Sequence, residues 1–237
     1  MLAPSSTPPP ALAMETSPAL LRLLQLASPA LPVGAYSYSE GLETLINQGM
    51  TCPDALGQWL EQELALGLVR VEATYLYRLY SAVRAEDWPQ VAADNRWLSA
   101  LRDSEESRNQ SWATGRALAR LTQDLHPELS PALATIGQPC NFVVSFAVLA
   151  SHWEIPASAA VLGYLQSWAT NLVTAAVKLV PLGQTQGQRM LIELNVPIQT
   201  TALQCAAIDP DDLALGGWGA SLASMQHETL YSRLFRS

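Results

Sequence analysis

Apolar residues recur at helical spacing along most of the chain. One stripe runs through Leu56, Leu60, Leu64, Leu68, Val71, Tyr75 and Leu79, and another through Val161, Leu165, Trp168, Leu172 and Leu179. Spacings of three and four residues place side chains on one face of a helix, and both stripes are too long for strands. No alternation of strand and helix patterns interrupts them. The pattern predicts an all-α fold with short connections.

Capping signals mark where the helices begin. Ser17-Pro18, Ser130-Pro131 and Asp209-Pro210 each place a capping side chain before a proline, and Ser37 to Glu40 and Asp103 to Glu106 have the spacing of a capping box. The predicted helices cover 18–28, 38–49, 53–85, 88–100, 104–124, 131–152 with a break near Pro139, 157–180, 186–205 perturbed by Pro197, and 210–225. We expect a single-domain bundle of about nine or ten helices in residues 18–225, between a flexible Pro-rich arm (1–17) and a C-terminal tail (226–237).

Composition excludes some classes of protein. The chain has 237 residues, of which 49% are hydrophobic and 14% charged, so it is long and apolar enough for one large core. The net charge of -8 and the lack of a Lys/Arg cluster argue against nucleic-acid binding. Cys52, Cys140 and Cys205 lie far apart, which suggests neither a disulfide framework nor a zinc site and favours a reducing cytoplasm.

A membrane span is the alternative for one segment. Residues 155–177 carry no charge and have about the length that crosses a bilayer. Gln166, Asn171 and several Ser and Thr residues dilute this apolarity, and no basic flank fixes an orientation. A central helix enclosed by other helices, or by another subunit, is therefore favoured over a membrane span.

The residues of common catalytic motifs are largely missing. The only lysine, Lys178, is followed by Leu179, which excludes a phosphate-binding P-loop. None of the three histidines pairs with another at i, i+4. His126 is expected in a solvated loop and His152 at a helix end, where capping is favoured over catalysis. His227 either orients the tail or binds metal weakly with a second copy. We predict no enzyme, no cofactor and no metal ligand set.

Charge is scarce in the second half, where only Glu154, Lys178, Arg189 and Glu193 lie between residues 130 and 208. Lys178 and Arg189 flank a Pro-Leu-Gly-Gln turn, which indicates a surface for a partner. Tyr36 and Tyr38, with Glu40, either form a helix cap with packed tyrosines or one edge of an interface. The tail, QHETLYSRLFRS, keeps apolar residues that either fold back on the core or are captured by another protein.

Four segments together resemble the urease accessory protein UreF family. They are LLQLASPALPVGAYSYSEGLE (23–43), the Ser-x-x-x-Gly of Ser111 to Gly115, YLQSWATNLVTAAVKLVPLGQTQGQR (164–189) and SMQHETLYSRLFRS (224–237). The likeness runs from about residue 18 to the end. It implies an all-helical, dimeric cytoplasmic chaperone component that binds UreD (UreH in some organisms), recruits the GTPase UreG and delivers nickel to the urease apoprotein.

The resemblance also suggests which residues meet which partner. The UreG face is expected to contain Lys178, Gln184, Gln188, Arg189, Tyr36, Tyr38 and Glu40. The tail residues expected to meet UreD/UreH are His227, Tyr231, Arg233, Leu234, Phe235 and Arg236. Nickel is expected to pass through or beside the chain without a tight site. The alternative role is a GTPase-activating protein for UreG that supplies Arg189 in trans.

Overall fold

The computed structural model describes residues 18–213 and 216–237. Its helices in this part of the chain are α1 (Pro18–Leu26), α2 (Leu42–Asn47), α3 (Pro53–Leu66), α4 (Leu68–Arg84), α5 (Trp88–Ala100), α6 (Glu105–Leu125), α7 (Ser130–Ile136), α8 (Phe142–His152), α9 (Ala157–Leu179), α10 (Gln184–Glu193), α11 (Asn195–Ala207) and α12 (Trp218–His227). Short 3₁₀-helices cover Ala35–Ser37, Pro127–Leu129 and Pro210–Asp212. The all-α prediction is confirmed. The predicted arm, 1–17, lies outside the described residues.

Helix α8 forms the centre of the core. Its residues from Val143 to Ser151 are all buried, as expected for a helix that is apolar on every side. Helices α4 and α6 pack against α8, α9 and α11 pack against α4, α10 lies on α9, and α12 lies on α2 and α6. Although the 155–177 segment lacks charge, no helix in the described ranges is long and apolar enough to cross a membrane.

Four predicted helical stretches are each divided in the structure. The stretch 53–85 breaks at Gly67, whose backbone is extended (φ −79°, ψ 179°), and gives α3 and α4. The predicted break near Pro139 separates α7 from α8. Helix α10 ends and α11 begins near Leu194. Pro197 therefore lies in the first turn of α11, where its missing N–H costs no helical hydrogen bond. Residues 210–225 form a 3₁₀-helix and α12.

A glycine sets the distance between α6 and α8. A Cβ on Gly115 would lie 2.2 Å from the carbonyl oxygen of Cys140 and 2.7 Å from the backbone nitrogen of Phe142. The buried Asn141 between them accepts a hydrogen bond from Ser111 Oγ at 3.0 Å. The Ser-x-x-x-Gly segment therefore holds the start of α8 directly against α6.

Candidate functional site

The C-terminal segment, defined here as residues 228–237, packs against its own chain. Ser237 is buried, and its carbonyl oxygen accepts hydrogen bonds from the backbone nitrogen (2.7 Å) and Oγ (2.5 Å) of Ser39. The backbone nitrogen of Arg236 donates to the Ser37 carbonyl at 2.9 Å. Phe235 is 6% exposed, and Lys178 Nζ lies 5.6 Å from the centre of its ring. Of the two alternatives for the tail, folding back on the core is the one observed for Phe235 and Ser237.

Other side chains of the C-terminal segment face outward. Tyr231 is fully exposed and Leu234 is 65% exposed. They follow helix α12, where Trp218, Leu222 and Met225 are also exposed and, spaced four and three residues apart, share one helix face. We call these five side chains the α12 apolar surface. Exposed apolar groups in such a row mark interaction sites more often than they serve the fold of a single chain.

His227 anchors the base of the C-terminal segment. Its ring is fully buried, with Nδ1 2.7 Å from Glu106 Oε2 and Nε2 3.1 Å from Glu43 Oε2. Glu106 also accepts a hydrogen bond from Arg233 at 2.6 Å. Side chains of its own chain occupy both ring nitrogens of His227. His227 is therefore placed to orient the tail.

Glu43 connects His227 to the end of the C-terminal segment. Its two carboxylate oxygens accept hydrogen bonds from the backbone nitrogens of Leu234 (2.7 Å) and Phe235 (2.9 Å). Burial raises the pKa of Glu43, but these bonds and His227 outweigh that effect, so the pKa is lowered overall. The ionised carboxylate thus fixes two consecutive backbone groups of the segment.

The residues assigned to the UreG face fall into two groups. Lys178 lies exposed in the last turn of α9, and Gln184, Gln188 and Arg189 lie exposed on α10. Helix α10 is held close to α9 at Gly187, where a Cβ would lie 2.9 Å from Val177 Cγ2. These four polar side chains are therefore presented by two packed helices.

The second group, Tyr36, Tyr38 and Glu40, is only partly at the surface. Tyr36 is 65% exposed, whereas Tyr38 is 7% exposed. Glu40 points inward and accepts hydrogen bonds from Gln110 Nε2 and Trp168 Nε1, both at 2.8 Å. Packing and internal hydrogen bonds thus occupy the side chains of Tyr38 and Glu40, and their assignment to the UreG face stays a prediction.

A cavity of about 250 Å³ lies beside Glu40. Its lining includes four acidic residues, namely Glu40 before α2, Glu63 on α3, Glu72 on α4 and Asp103 before α6. Within it, Glu72 forms an ion pair with Arg102 and accepts a hydrogen bond from the Tyr164 hydroxyl at 2.8 Å. Burial raises the pKa of Glu40 more than the hydrogen bond from Trp168 lowers it. We refer to this cavity as the acidic chamber.

Glu63 is a buried carboxylate of the acidic chamber. It is 7% exposed, and its side chain forms no hydrogen bond or ion pair with the described residues. Burial, followed by the negative charge of Glu40, raises its pKa to about 7. Sequence reasoning missed Glu63, Glu72 and the burial of Arg102, because nothing in their local spacing distinguishes them from ordinary surface charges.

Three side chains converge where α6 and α8 end, and we call them the His126 cluster. His126 Nδ1 lies 3.1 Å from His152 Nε2, and Glu128 Oε1 lies 3.3 Å from each of these atoms. The Trp153 indole N–H donates to His126 Nε2 at 2.8 Å. The expectation of a solvated His126 is therefore corrected, whereas His152 lies in the last turn of α8 as expected. Among the described residues, this group meets the distance requirement for three ligands to one metal ion.

Comparison with known proteins supports the resemblance in the sequence. The sequence profile of the UreF family matches residues 50–195. A urease accessory protein UreF from Nostoc sp. is 50% identical over 218 residues, covering 92% of this chain and 95% of that protein. The protein of the same name from Thermosynechococcus vestitus is 51% identical over 227 residues, covering 94% of this chain and 100% of that protein. The chain belongs to the UreF family. The relatives extend beyond these, with a UreF from Alkalilimnicola ehrlichii 42% identical over 227 residues.

The acidic chamber gives this UreF-family chain a testable pH dependence. Glu63 has a folded-state pKa of about 7 against an ordinary value of 4.5, so its ionised form is disfavoured by folding. Its contribution to stability therefore falls as pH rises from 4.5 to 7, by about 3 kcal/mol in total at about 1.4 kcal/mol per pKa unit. Glu63→Gln removes this loss, and urea unfolding at pH 5 and pH 8 measures it.

The matched control for this prediction is Glu61→Gln, an exposed position on the same helix. We expect the Glu63→Gln variant to gain stability relative to wild type between pH 5 and pH 8, and the Glu61→Gln variant to follow wild type. Equal pH profiles for all three proteins would show that Glu63 is ionised at little cost.

Proposed function

We propose that this chain is a non-catalytic adaptor in urease maturation. It dimerises in the cytoplasm, binds UreD/UreH, and recruits the GTPase UreG, so that nickel reaches the urease apoprotein as cargo. The main support is 50% identity over 92% of the chain to a protein named urease accessory protein UreF. Exposed apolar surfaces on a chain with so few charges are consistent with a protein covered by partners.

The α12 apolar surface is the proposed contact for UreD/UreH. Tyr231 and Leu234 project from a backbone that Glu43 holds by two hydrogen bonds. Arg233, 42% exposed, and Arg236 add charge at the rim. His227 and Phe235 take part indirectly, because their burial fixes the position of the exposed residues. Apolar anchors with a charged rim are typical of a specific interface.

The proposed UreG face combines Lys178, Gln184, Gln188 and Arg189, with Tyr36 beside the α9 helix. Tyr38 and Glu40 lie beneath this proposed face and hold its backbone in place by packing and hydrogen bonding. The adjoining stripe of Ile192, Val196 and Leu203 on α10 and α11 is exposed by 67%, 69% and 75% and is proposed to pack against a second copy. Two-fold symmetry would then present each surface twice.

Truncating the two exposed anchors provides the direct test. Tyr231→Ala with Leu234→Ala is expected to weaken capture of UreD/UreH by about 2 kcal/mol or more, which is roughly thirtyfold, because both side chains are free to be buried by a partner. The free energy of unfolding should change by less than about 0.5 kcal/mol, since neither side chain packs in the core. Pull-down titration with purified UreD/UreH and urea unfolding measure the two quantities.

Leu21→Ala with Leu24→Ala is the matched control, because both leucines are exposed on α1, a different part of the chain. It should leave UreD/UreH capture unchanged. Capture that survives the Tyr231 and Leu234 substitutions would refute this assignment of the α12 apolar surface.

The rival function, activation of UreG by an arginine in trans, rests on Arg189. This residue is exposed on α10, close to the turn after α9. An arginine finger contributes about three to five orders of magnitude to the rate of GTP hydrolysis. Under the adaptor proposal, Arg189→Ala reduces UreG binding about tenfold and leaves GTP turnover per bound complex unchanged. Intact binding with collapsed turnover would favour the rival. Arg96→Ala, which removes an exposed arginine on α5 outside the proposed UreG face, is the control.

A further inference from the structure

We propose that His126, Glu128 and His152 form a surface site for one divalent metal ion that prefers tetrahedral nitrogen and oxygen ligands, such as Zn²⁺. The site has three protein ligands and an open fourth position. It is independent of the adaptor function proposed above and lies at the ends of α6 and α8. The proposal rests on the geometry of the His126 cluster.

The distances fit a tetrahedral ion. The three candidate ligand atoms form a triangle with sides of 3.1, 3.3 and 3.3 Å. Metal–ligand bonds of about 2.0–2.1 Å place the ligand atoms of a tetrahedral Zn²⁺ about 3.3 Å apart. An octahedral ion with similar bonds would bring them to about 2.9 Å. The observed triangle therefore matches one face of a tetrahedron with little rearrangement.

Hydrogen bonding alone leaves the His126 cluster unbalanced. The Trp153 indole is only a donor, so His126 Nε2 accepts and the proton of the neutral ring lies on Nδ1, facing His152 and Glu128. If His152 Nε2 and Glu128 Oε1 share that proton as acceptors, the lone pairs of these two atoms face each other at 3.3 Å. If His152 instead carries a proton on Nε2, both N–H groups converge on the one Glu128 oxygen, with the two nitrogens only 3.1 Å apart. A single cation attracts all three atoms at once.

The ligands are accessible to an ion from solvent. The side chains of His126, His152 and Glu128 are 24%, 29% and 60% exposed. No backbone movement is therefore needed to open the site.

Trp153 opposes loading of the site. A histidine that binds metal through Nδ1 carries its proton on Nε2 and normally donates it to an acceptor. In this chain the Trp153 N–H occupies that direction, so loading requires the indole to give up its hydrogen bond. The site should therefore bind weakly and exchange readily, and removal of the indole N–H should tighten it.

Zn²⁺ titration of the untagged full-length protein by calorimetry tests the proposal. Glu128→Gln and His152→Ala are each expected to weaken binding at this site by about tenfold or more, and Trp153→Phe to strengthen it severalfold. Glu128 is exposed, so Glu128→Gln should fold normally. It therefore keeps the test valid if the His152→Ala variant fails to fold. Cys52→Ser, which removes an exposed thiol elsewhere, and Asp124→Asn, an exposed carboxylate in the last turn of α6, should bind as wild type does.

Two outcomes would overturn the proposal. One is the absence of Zn²⁺ binding by the wild-type protein, which would leave the His126 cluster as a hydrogen-bonded contact between helix ends. The other is binding that Glu128→Gln and His152→Ala leave unchanged, which would place the metal elsewhere. Neither outcome affects the UreD/UreH and UreG experiments.

Discussion

Replacing Arg102 with Met is expected to lower the free energy of unfolding by about 3–5 kcal/mol. Arg102 forms an ion pair with Glu72, and their side chains are 7% and 9% exposed. Removing the cation leaves the Glu72 carboxylate buried with the Tyr164 hydroxyl as its remaining partner. The charge then has no compensation in the acidic chamber. Urea unfolding at pH 7 measures the loss.

The double variant Glu72→Met with Arg102→Met separates the charge effect from lost packing. Because it leaves no unpaired charge, it should be more stable than Arg102→Met alone, although it removes two polar side chains instead of one. Arg116→Met, at an exposed position on α6, should change stability by less than about 0.5 kcal/mol. A double variant less stable than the single one would show that the ion pair is not the cause.

Gly115→Ala is expected to destabilise the chain by about 3 kcal/mol, at the upper end of the range for overpacked cores. The added methyl group would meet backbone atoms of Cys140, Asn141 and Phe142 at 2.2 to 2.7 Å. Backbone cannot rotate away as a flexible side chain can, so α8 must shift relative to α6. Thermal and urea unfolding of the variant measure the cost.

Gly57→Ala is the control for Gly115→Ala, because Gly57 also lies in a helix but a Cβ there has open space within 4 Å. Alanine has the higher helix propensity, so this variant should gain about 0.5–1 kcal/mol. Opposite signs at the two positions would locate the effect in the α6 and α8 contact. Equal effects at both would contradict the close approach of these helices.

The helices were largely predictable because their signals are local. Apolar spacing and proline positions identified nearly every helical stretch. The break at Gly67 was missed because the stripe through Leu64, Leu68 and Val71 continues across it, and one extended residue leaves that spacing intact. The predicted caps fared unevenly. Asp209 is confirmed, since its side chain accepts from the Asp211 nitrogen, whereas Ser104 caps α6 in place of Asp103 and α2 begins after Gly41, with no capping box at Ser37.

The site was harder to predict because its contacts join distant parts of the chain. His126 and His152 are 26 residues apart, and no spacing rule connects them. Glu63 and Glu72 look like solvated charges until the fold encloses them. The tail residues were singled out because a short polar stretch retained Tyr, Leu and Phe. Their division into buried Phe235 and exposed Leu234 depends on the tertiary position of Glu43.

The docked C-terminal segment has a thermodynamic consequence for recognition. Holding one residue's backbone in a single conformation costs about 1–2 kcal/mol of entropy, and the contacts of Ser39, Glu43 and His227 meet that cost during folding. A protein that captures Tyr231 and Leu234 would therefore encounter a rigid epitope instead of a coil. Association should then need little rearrangement, and more of the interface energy would remain as affinity.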